Sequence, residues 1–342
     1  MSKMMKAVVL TEAGGLDKLV MQDIAMPEPA AGEVRVRIRS AALNRRDYFM
    51  TRGQYPRMKL PCIIGSDGAG VVDAIGPGVD SSQLGREVVV YPAREWGADP
   101  AFPGANFRVL GMPDAGTLAE AICVPSADIQ AKPAHLDFDQ AAALPLAGLT
   151  SWRALVTMGG VHPGMNVLVT GAGSGTSSFA ILWAAQHGAK VWATSSSEQK
   201  LAKARAIGAI GVGDYRDPEC YAKLRKESGG FDLIIDSAGG EGLNTVLDTL
   251  RMGGRYVFYG ATLGNAQQGP EMAKLFFKQA RIQGTTMGSP AEFAAMINFV
   301  TAKRLVPLVH QVFPLAEIQT AVGLMEKFSQ TGKIVLKVAS QA

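Results

Sequence analysis

Residue types suited to chemistry are concentrated between 166 and 200. Asn166-Val-Leu-Val-Thr170 leads into Gly171-Ala-Gly-Ser-Gly-Thr-Ser-Ser178, then the helical composition of Phe179–His187 and, past Gly188, a second apolar run, Val191–Thr194. Strand, glycine-rich turn, helix and strand at this spacing form a βαβ unit of the size that binds dinucleotides. A pyrophosphate can approach the main chain closely only where side chains are absent, and the helix N-terminus offers it N–H groups carrying partial positive charge. The turn departs from GxGxxG because Ser177 or Ser178 holds the third glycine position. Both are small enough to let the helix pack closely on the strand.

The end of the second strand bears on which dinucleotide is taken. An Asp or Glu about 20 residues past the turn binds the ribose hydroxyl of NAD and repels a 2′-phosphate. This chain has Thr194-Ser-Ser-Ser197 there, with no acid before Glu198. Ser195 and Ser196 can donate to a phosphate, and Lys200 can neutralise it. The expected cofactor is therefore NADPH. The plainer alternative makes Ser197 an N-cap for a helix over Glu198–Ile207 and Lys200 a solvated surface residue.

These residues need a scaffold, and 342 residues suit two domains. The first 130 or so read as β-rich: Val34-Arg-Val-Arg-Ile-Arg39 alternates strictly, and glycine and proline interrupt the pattern often. From 91 to 116 the periodicity lapses into a long excursion, with Trp96, Phe102 and Phe107 expected to anchor it. A helix is expected over Phe138–Leu144. After the βαβ unit, helix Glu198–Ile207, a strand near Gly211–Gly213, helix Pro218–Glu227, strand Phe231–Asp236, helix Leu243–Arg251 and strand Arg255–Tyr259 alternate. That alternation implies an α/β fold with a doubly wound parallel sheet. A mixed tail follows, and its last strand, Lys333–Val338, is expected to rejoin the first domain. The expected division is 1–130, 131–288 and 289–342.

Composition excludes several classes. With 47% hydrophobic and 19% charged residues, the chain is globular. The net charge of +4 is scattered, without the basic run that a nucleic-acid footprint requires. Cys62, Cys123 and Cys220 lack CxxC spacing, which argues against a disulfide framework or a cysteine-built zinc site. No apolar run approaches the ~20 residues of a membrane span, and the N-terminal Met1–Lys6 is not a signal peptide. No membrane association is expected, and the expected location is cytoplasmic.

Taken together, Asn44-Arg-Arg-Asp47, Arg52-Gly-Gln-Tyr-Pro56, Pro61 with Gly65-Ser-Asp-Gly-Ala-Gly70, Ala142-Ala-Leu-Pro145, Gly148-Leu-Thr-Ser-Trp152, the glycine-rich turn and Gly332-Lys333 resemble the medium-chain dehydrogenase/reductase superfamily, in particular its zinc-free quinone oxidoreductase branch. The resemblance spans nearly the whole chain. It implies a Rossmann domain inserted into a GroES-like β-rich domain, and a homodimer. Zinc members carry Cys, then a His within Gly-His-Glu, then a Cys or acid. The matching positions here are Asn44, Ser66 with Asp67, and Leu146, so no catalytic metal is expected. The 91–116 excursion resembles a lobe that holds structural zinc in other members, yet it contains no cysteine. Gly85-Arg-Glu-Val88 departs from the family's Gly-Asp-Arg-Val.

The resemblance further implies that Thr150, Gly171, Ala172, Ser174, Gly175, Thr176, Ser195, Ser196, Lys200 and Tyr215 contact NADPH. Tyr259, Gly260, Ala261 and Thr262 would lie toward the nicotinamide half. Asn44 would bond the ribose or polarise a substrate carbonyl. Without a metal electrophile, the expected substrate is a small electrophile, a quinone or an α,β-unsaturated carbonyl, with Asn44 on the developing oxyanion and Tyr48, Tyr55 or Tyr91 as candidate proton donors. The alternatives are a zinc-free alcohol dehydrogenase, an enoyl-thioester reductase and a non-catalytic NADPH-binding redox sensor. His135, His162, His187 and His310 offer no triad with a nucleophile.

Overall fold

The computed structural model describes residues 3–338; Met1, Ser2 and the last four positions of the expected C-terminal tail lie outside them. Two units emerge. One comprises the residues up to Leu149 together with those from Gly288 onward, and the other is Thr150–Met287.

In the first unit the alternating segment becomes the central strand Glu33–Ala42, with Val34, Val36 and Ile38 in the core. The outward Arg35 is held by Asp73 and Glu28. On one side this strand pairs antiparallel with Asp67–Ile75, Asp67 lying opposite Ala42. On the other it pairs antiparallel with the C-terminal strand Lys333–Lys337, Val335 lying opposite Ala42. The tail therefore does complete this sheet. The expected crossing at 130 is displaced, because the helix Phe138–Ala142 packs on Glu33–Ala42 and Asp67–Ile75 and stays with the first unit. The chain leaves within the next helix, Pro145–Trp152, and returns between Met287 and Gly288.

Charge and aromatic packing hold the excursion. Arg108 bonds both Asp114 and Glu95, while Arg94 lies between Asp114 and Asp128. Trp96 is buried and meets Phe107 edge-on at 5.5 Å. Phe102 corrects the expectation: it is 60% exposed, because the turn that carries it runs out over solvent.

The second unit is a six-stranded parallel sheet. Asn166–Val169, Lys190–Ser195 and Ala209–Asp214 run outward from its centre on one side. Phe231–Asp236, Leu250–Phe258 and Arg281–Gly284 run outward on the other. In order of appearance this is 3-2-1-4-5-6, the Rossmann arrangement. Two expected bounds are corrected. The helix expected from Phe179 begins at Gly175, since the Ser174 hydroxyl accepts the Ser177 N–H and caps it four residues earlier. The helix expected through Arg251 stops at Asp248, where the Thr249 hydroxyl bonds back to Val246 and the chain enters the strand opposite Phe231. Arg281–Gly284 is an edge strand with all four residues exposed.

Candidate functional site

In the second unit the candidate cofactor residues collect at the carboxyl ends of parallel strands, where a doubly wound sheet binds its ligands. Gly171 turns the chain at φ +65°, a value that strains any residue with a side chain, and the Ala172 N–H bonds Thr194 O to tie the turn to the second strand. The first-turn N–H groups of Gly175 and Thr176 have no partner inside their helix and suit phosphate oxygens. A Cβ on Gly173 would lie 2.4 Å from Lys200 Cδ and 2.9 Å from its Nζ. The missing side chain thus admits the lysine stem across the turn and brings its ammonium to the glycine-rich loop.

At the strand ends, the Tyr215 hydroxyl donates to Ser196 Oγ at 2.9 Å. Ser195 is buried, its hydroxyl accepting the Ser197 N–H at 3.3 Å, and Thr150 is buried with Oγ1 4.0 Å from Met287 Sδ. Ser197 precedes the helix Glu198–Ala206 but makes no side-chain cap. The Tyr259 hydroxyl lies 3.4 Å from Ser177 Oγ, and burial pushes it up to about 12, so it remains protonated. Thr262 bonds Ser237 O through both N–H and Oγ1, and a Cβ on Gly260 would meet the same oxygen at 3.2 Å, which fixes Tyr259–Thr262 beside the turn after Asp236. The donor set of free N–H groups, hydroxyls and one ammonium fits a phosphorylated dinucleotide.

The first unit holds a different arrangement around Asn44. The register carries Lys333 opposite Asn44, two residues beyond the Val335–Ala42 pair, while Asp67 begins the strand on the other side. Asn44 Nδ2 donates to Asp67 Oδ2 at 2.9 Å, and Lys333 Nζ donates to Asn44 Oδ1 at 2.7 Å, Asp67 Oδ2 at 2.8 Å and Leu43 O at 2.8 Å. The second carboxylate oxygen of Asp67 accepts the Leu146 N–H at 2.7 Å. Lys333 and Asp67 are 2% and 0% exposed, and all three ammonium hydrogens are used.

Beside this corner, Arg46 Nη1 donates to Ser66 Oγ and Leu110 O, and its Nε donates to the Tyr55 hydroxyl at 3.2 Å. Its guanidinium covers the Tyr55 ring. Tyr48 lies apart, with Arg45 and Arg52 over its ring and its hydroxyl 3.4 Å from Glu326. Tyr91 is buried and its hydroxyl donates to Gly288 O at 2.6 Å. The Asp47 carboxylate accepts the Asn44 N–H, and burial pushes it up to about 6 against the pull of Arg46. Sequence reading missed the partnership of Lys333 with Asn44 and the buried pair Arg46 and Asp47. The one signal for Lys333 was a lysine heading the apolar run Ile334–Leu336, in a strand that is buried through Leu336.

Two family models match the chain: "Alcohol dehydrogenase GroES-like domain" over residues 30–134 and "Zinc-binding dehydrogenase" over 175–302. Zinc-type alcohol dehydrogenase-like protein YogA of Leptosphaeria maculans is 35% identical over 340 residues, 94% of each chain. Human quinone oxidoreductase is 28% identical over 345 residues, 98% of each chain. A crystal structure of an NAD-dependent alcohol dehydrogenase matches with a TM-score of 0.93 and 38% identity, covering 98% of this chain and 100% of that one.

Zinc appears in two of these descriptions, and the residues at the matching positions do not suit it. Asn44 Oδ1 faces an ammonium, Ser66 Oγ faces a guanidinium, and Leu146 has no donor side chain. Among the described residues no group of three or more His, Cys, Asp or Glu is placed to hold a metal, and no helix is long and apolar enough to cross a membrane.

Proposed function

Because the chain belongs to the medium-chain dehydrogenase/reductase superfamily and is an oxidoreductase that uses a nicotinamide cofactor, we propose that it takes NADPH and reduces a quinone or an α,β-unsaturated carbonyl. The observation that carries this reading is the Asn44 corner, which offers an oriented hydrogen-bond donor where zinc members offer a Lewis acid. One Nδ2 hydrogen of Asn44 remains after the bond to Asp67, and the residue keeps 7% of its surface exposed. A conjugated acceptor needs no stronger electrophile, because its negative charge spreads over an enolate or hydroquinone oxygen.

Once held, the nicotinamide would supply hydride for the β-carbon of an enone or for a quinone. Asn44 Nδ2 donates to the oxygen on which charge develops, and the proton that completes reduction comes from solvent or from the Tyr48 or Tyr55 hydroxyl. Ser195, Ser196, Tyr215 and Lys200 hold the adenine end, with Lys200 countering the 2′-phosphate. Gly171, Ala172, Ser174, Gly175, Thr176, Thr150 and Tyr259–Thr262 hold the remainder.

A second reading, an NAD-linked alcohol dehydrogenase, is favoured by the description of the solved relative at 38% identity. Stopped-flow oxidation of NADPH and NADH by a panel of quinones, enals, enoyl thioesters and simple ketones separates the two. Fast single turnovers with conjugated acceptors and NADPH are expected. Turnover confined to alcohols and ketones with NADH would leave the second reading standing, and tight binding with no turnover on any acceptor would make the protein a sensor.

The bare edge strand Arg281–Gly284, which carries exposed Ile282 and is preceded by exposed Met272, Phe276 and Phe277, supports pairing with a second copy. On this reading the protein is a homodimer, and Ile282→Lys yields a monomer by light scattering.

A further inference from the structure

We propose that Lys333 is a positioning residue that acts through Asn44, fixing which end of the amide faces outward and strengthening its N–H as a donor. The inference deepens the hydride-transfer reading and rests on it for the role of Asn44.

The geometry allows one orientation of this amide. An ammonium can only donate, so the Asn44 atom 2.7 Å from Lys333 Nζ must be the oxygen. An ionised carboxylate can only accept, so the atom 2.9 Å from Asp67 Oδ2 must be the nitrogen. A flipped amide would set NH₂ against NH₃⁺ and oxygen against carboxylate, two buried repulsions in place of two charge-assisted bonds. A cation on Oδ1 also draws electron density from the amide, so the second Nδ2 hydrogen becomes a better donor to an oxyanion. The ammonium itself is held on three sides, by Leu43 O, Asn44 Oδ1 and Asp67 Oδ2, and is 2% exposed, so it influences a substrate through the amide rather than by touching it.

Removing Lys333 alone strands the Asp67 charge, so the test uses Lys333→Met beside the charge-neutral pair Lys333→Met with Asp67→Asn, in which the introduced amide oxygen can still accept from Leu146 N–H. Single-turnover reduction by the best acceptor of the panel, the Kd for NADPH and the melting temperature are measured for both. The same is done for Asn44→Ala and for Lys333→Met in the Asn44→Ala background. The expected result is that the neutral pair folds and binds NADPH within about twofold of wild type, yet transfers hydride about tenfold or more slowly, a loss of the size seen when an oxyanion donor is weakened. Lys333→Met should add less than about twofold in the Asn44→Ala background, because the two residues act as one unit. Multiplicative losses from Lys333→Met and Asn44→Ala, or a folded neutral pair that turns over at the wild-type rate, overturn the proposal.

The side-chain amide proton pair of Asn44, assigned by its loss in Asn44→Ala, gives a readout independent of activity. It should be shifted and slow to exchange in wild type and revert toward free-amide values in both Lys333 variants; a pair unmoved by either variant overturns the proposal. A panel on which the wild type fails to turn over counts against the hydride reading alone, and the amide protons then decide the role of Lys333.

Discussion

From Gly171 to Tyr215 the glycine-rich turn, the strand end with its serines, and Lys200 follow one another in a single unbroken stretch, whereas Asn44 meets its two charged partners 23 and 289 residues away. The first arrangement is built from main-chain N–H groups and side chains around the carboxyl ends of neighbouring parallel strands. The second is a buried ion pair closed by the strand Lys333–Lys337. Local structure can form the first with few long-range contacts. The second exists only when three strand ends meet, and it exposes the fold to the cost of an unpaired buried charge.

Asp67→Ala should have the largest effect, since it leaves the Lys333 ammonium buried without its carboxylate. A loss of ~3–5 kcal/mol in denaturant unfolding is expected. A loss below about 1 kcal/mol would mean that the corner is no more costly to break than the turn. Asp47 gives a pH-resolved measure of the same unit. Burial raises its carboxyl from 3.8 to about 6, so its stabilising contribution is complete below pH 3.8 and is lost as pH rises through about 6. Relative to Asp47→Asn, the wild type should lose about 2 kcal/mol between pH 4 and 7. The check is denaturant unfolding of both proteins at each pH, and parallel curves would remove the buried ionisation from the account.

In the other unit the changes should be smaller and should appear in binding. Lys200→Ala should weaken NADPH about tenfold, ~1.4 kcal/mol, and leave NADH within twofold by calorimetry. Equal losses would discard the 2′-phosphate assignment. Gly173→Ala should reproduce that bias at about threefold, because its methyl displaces the Lys200 stem while leaving the charge in place. A Gly173→Ala protein that weakens both cofactors alike would show that the turn, and not the lysine, had been disturbed.

Much of the second unit was legible because its periodicities are local. Strand Phe231–Asp236 has the bounds that its apolar run suggested, and the neighbouring elements differ by a few residues. Where bounds moved, a single side chain accounts for it: the Ser174 hydroxyl starts a helix inside what reads as turn, and the Thr249 hydroxyl ends one early. Phe102 was misread because an aromatic residue in an aperiodic stretch carries no sign of which way its turn faces. The excursion is fastened by Arg94 and Arg108 on Asp114, Glu95 and Asp128, charges that in a linear reading look like ordinary surface.

By itself the sequence determined the α/β alternation, the glycine-rich turn between strand and helix and the poor zinc-donor character of Asn44, Ser66 and Leu146, since each depends on residue type and near-neighbour spacing. Tertiary structure alone decided that Lys333 stands opposite Asn44, that Asp67 bonds both, and that Arg46 faces Ser66. Strand register between distant segments sets those pairings, and register follows from how whole strands bury their apolar faces rather than from any residue within the pair.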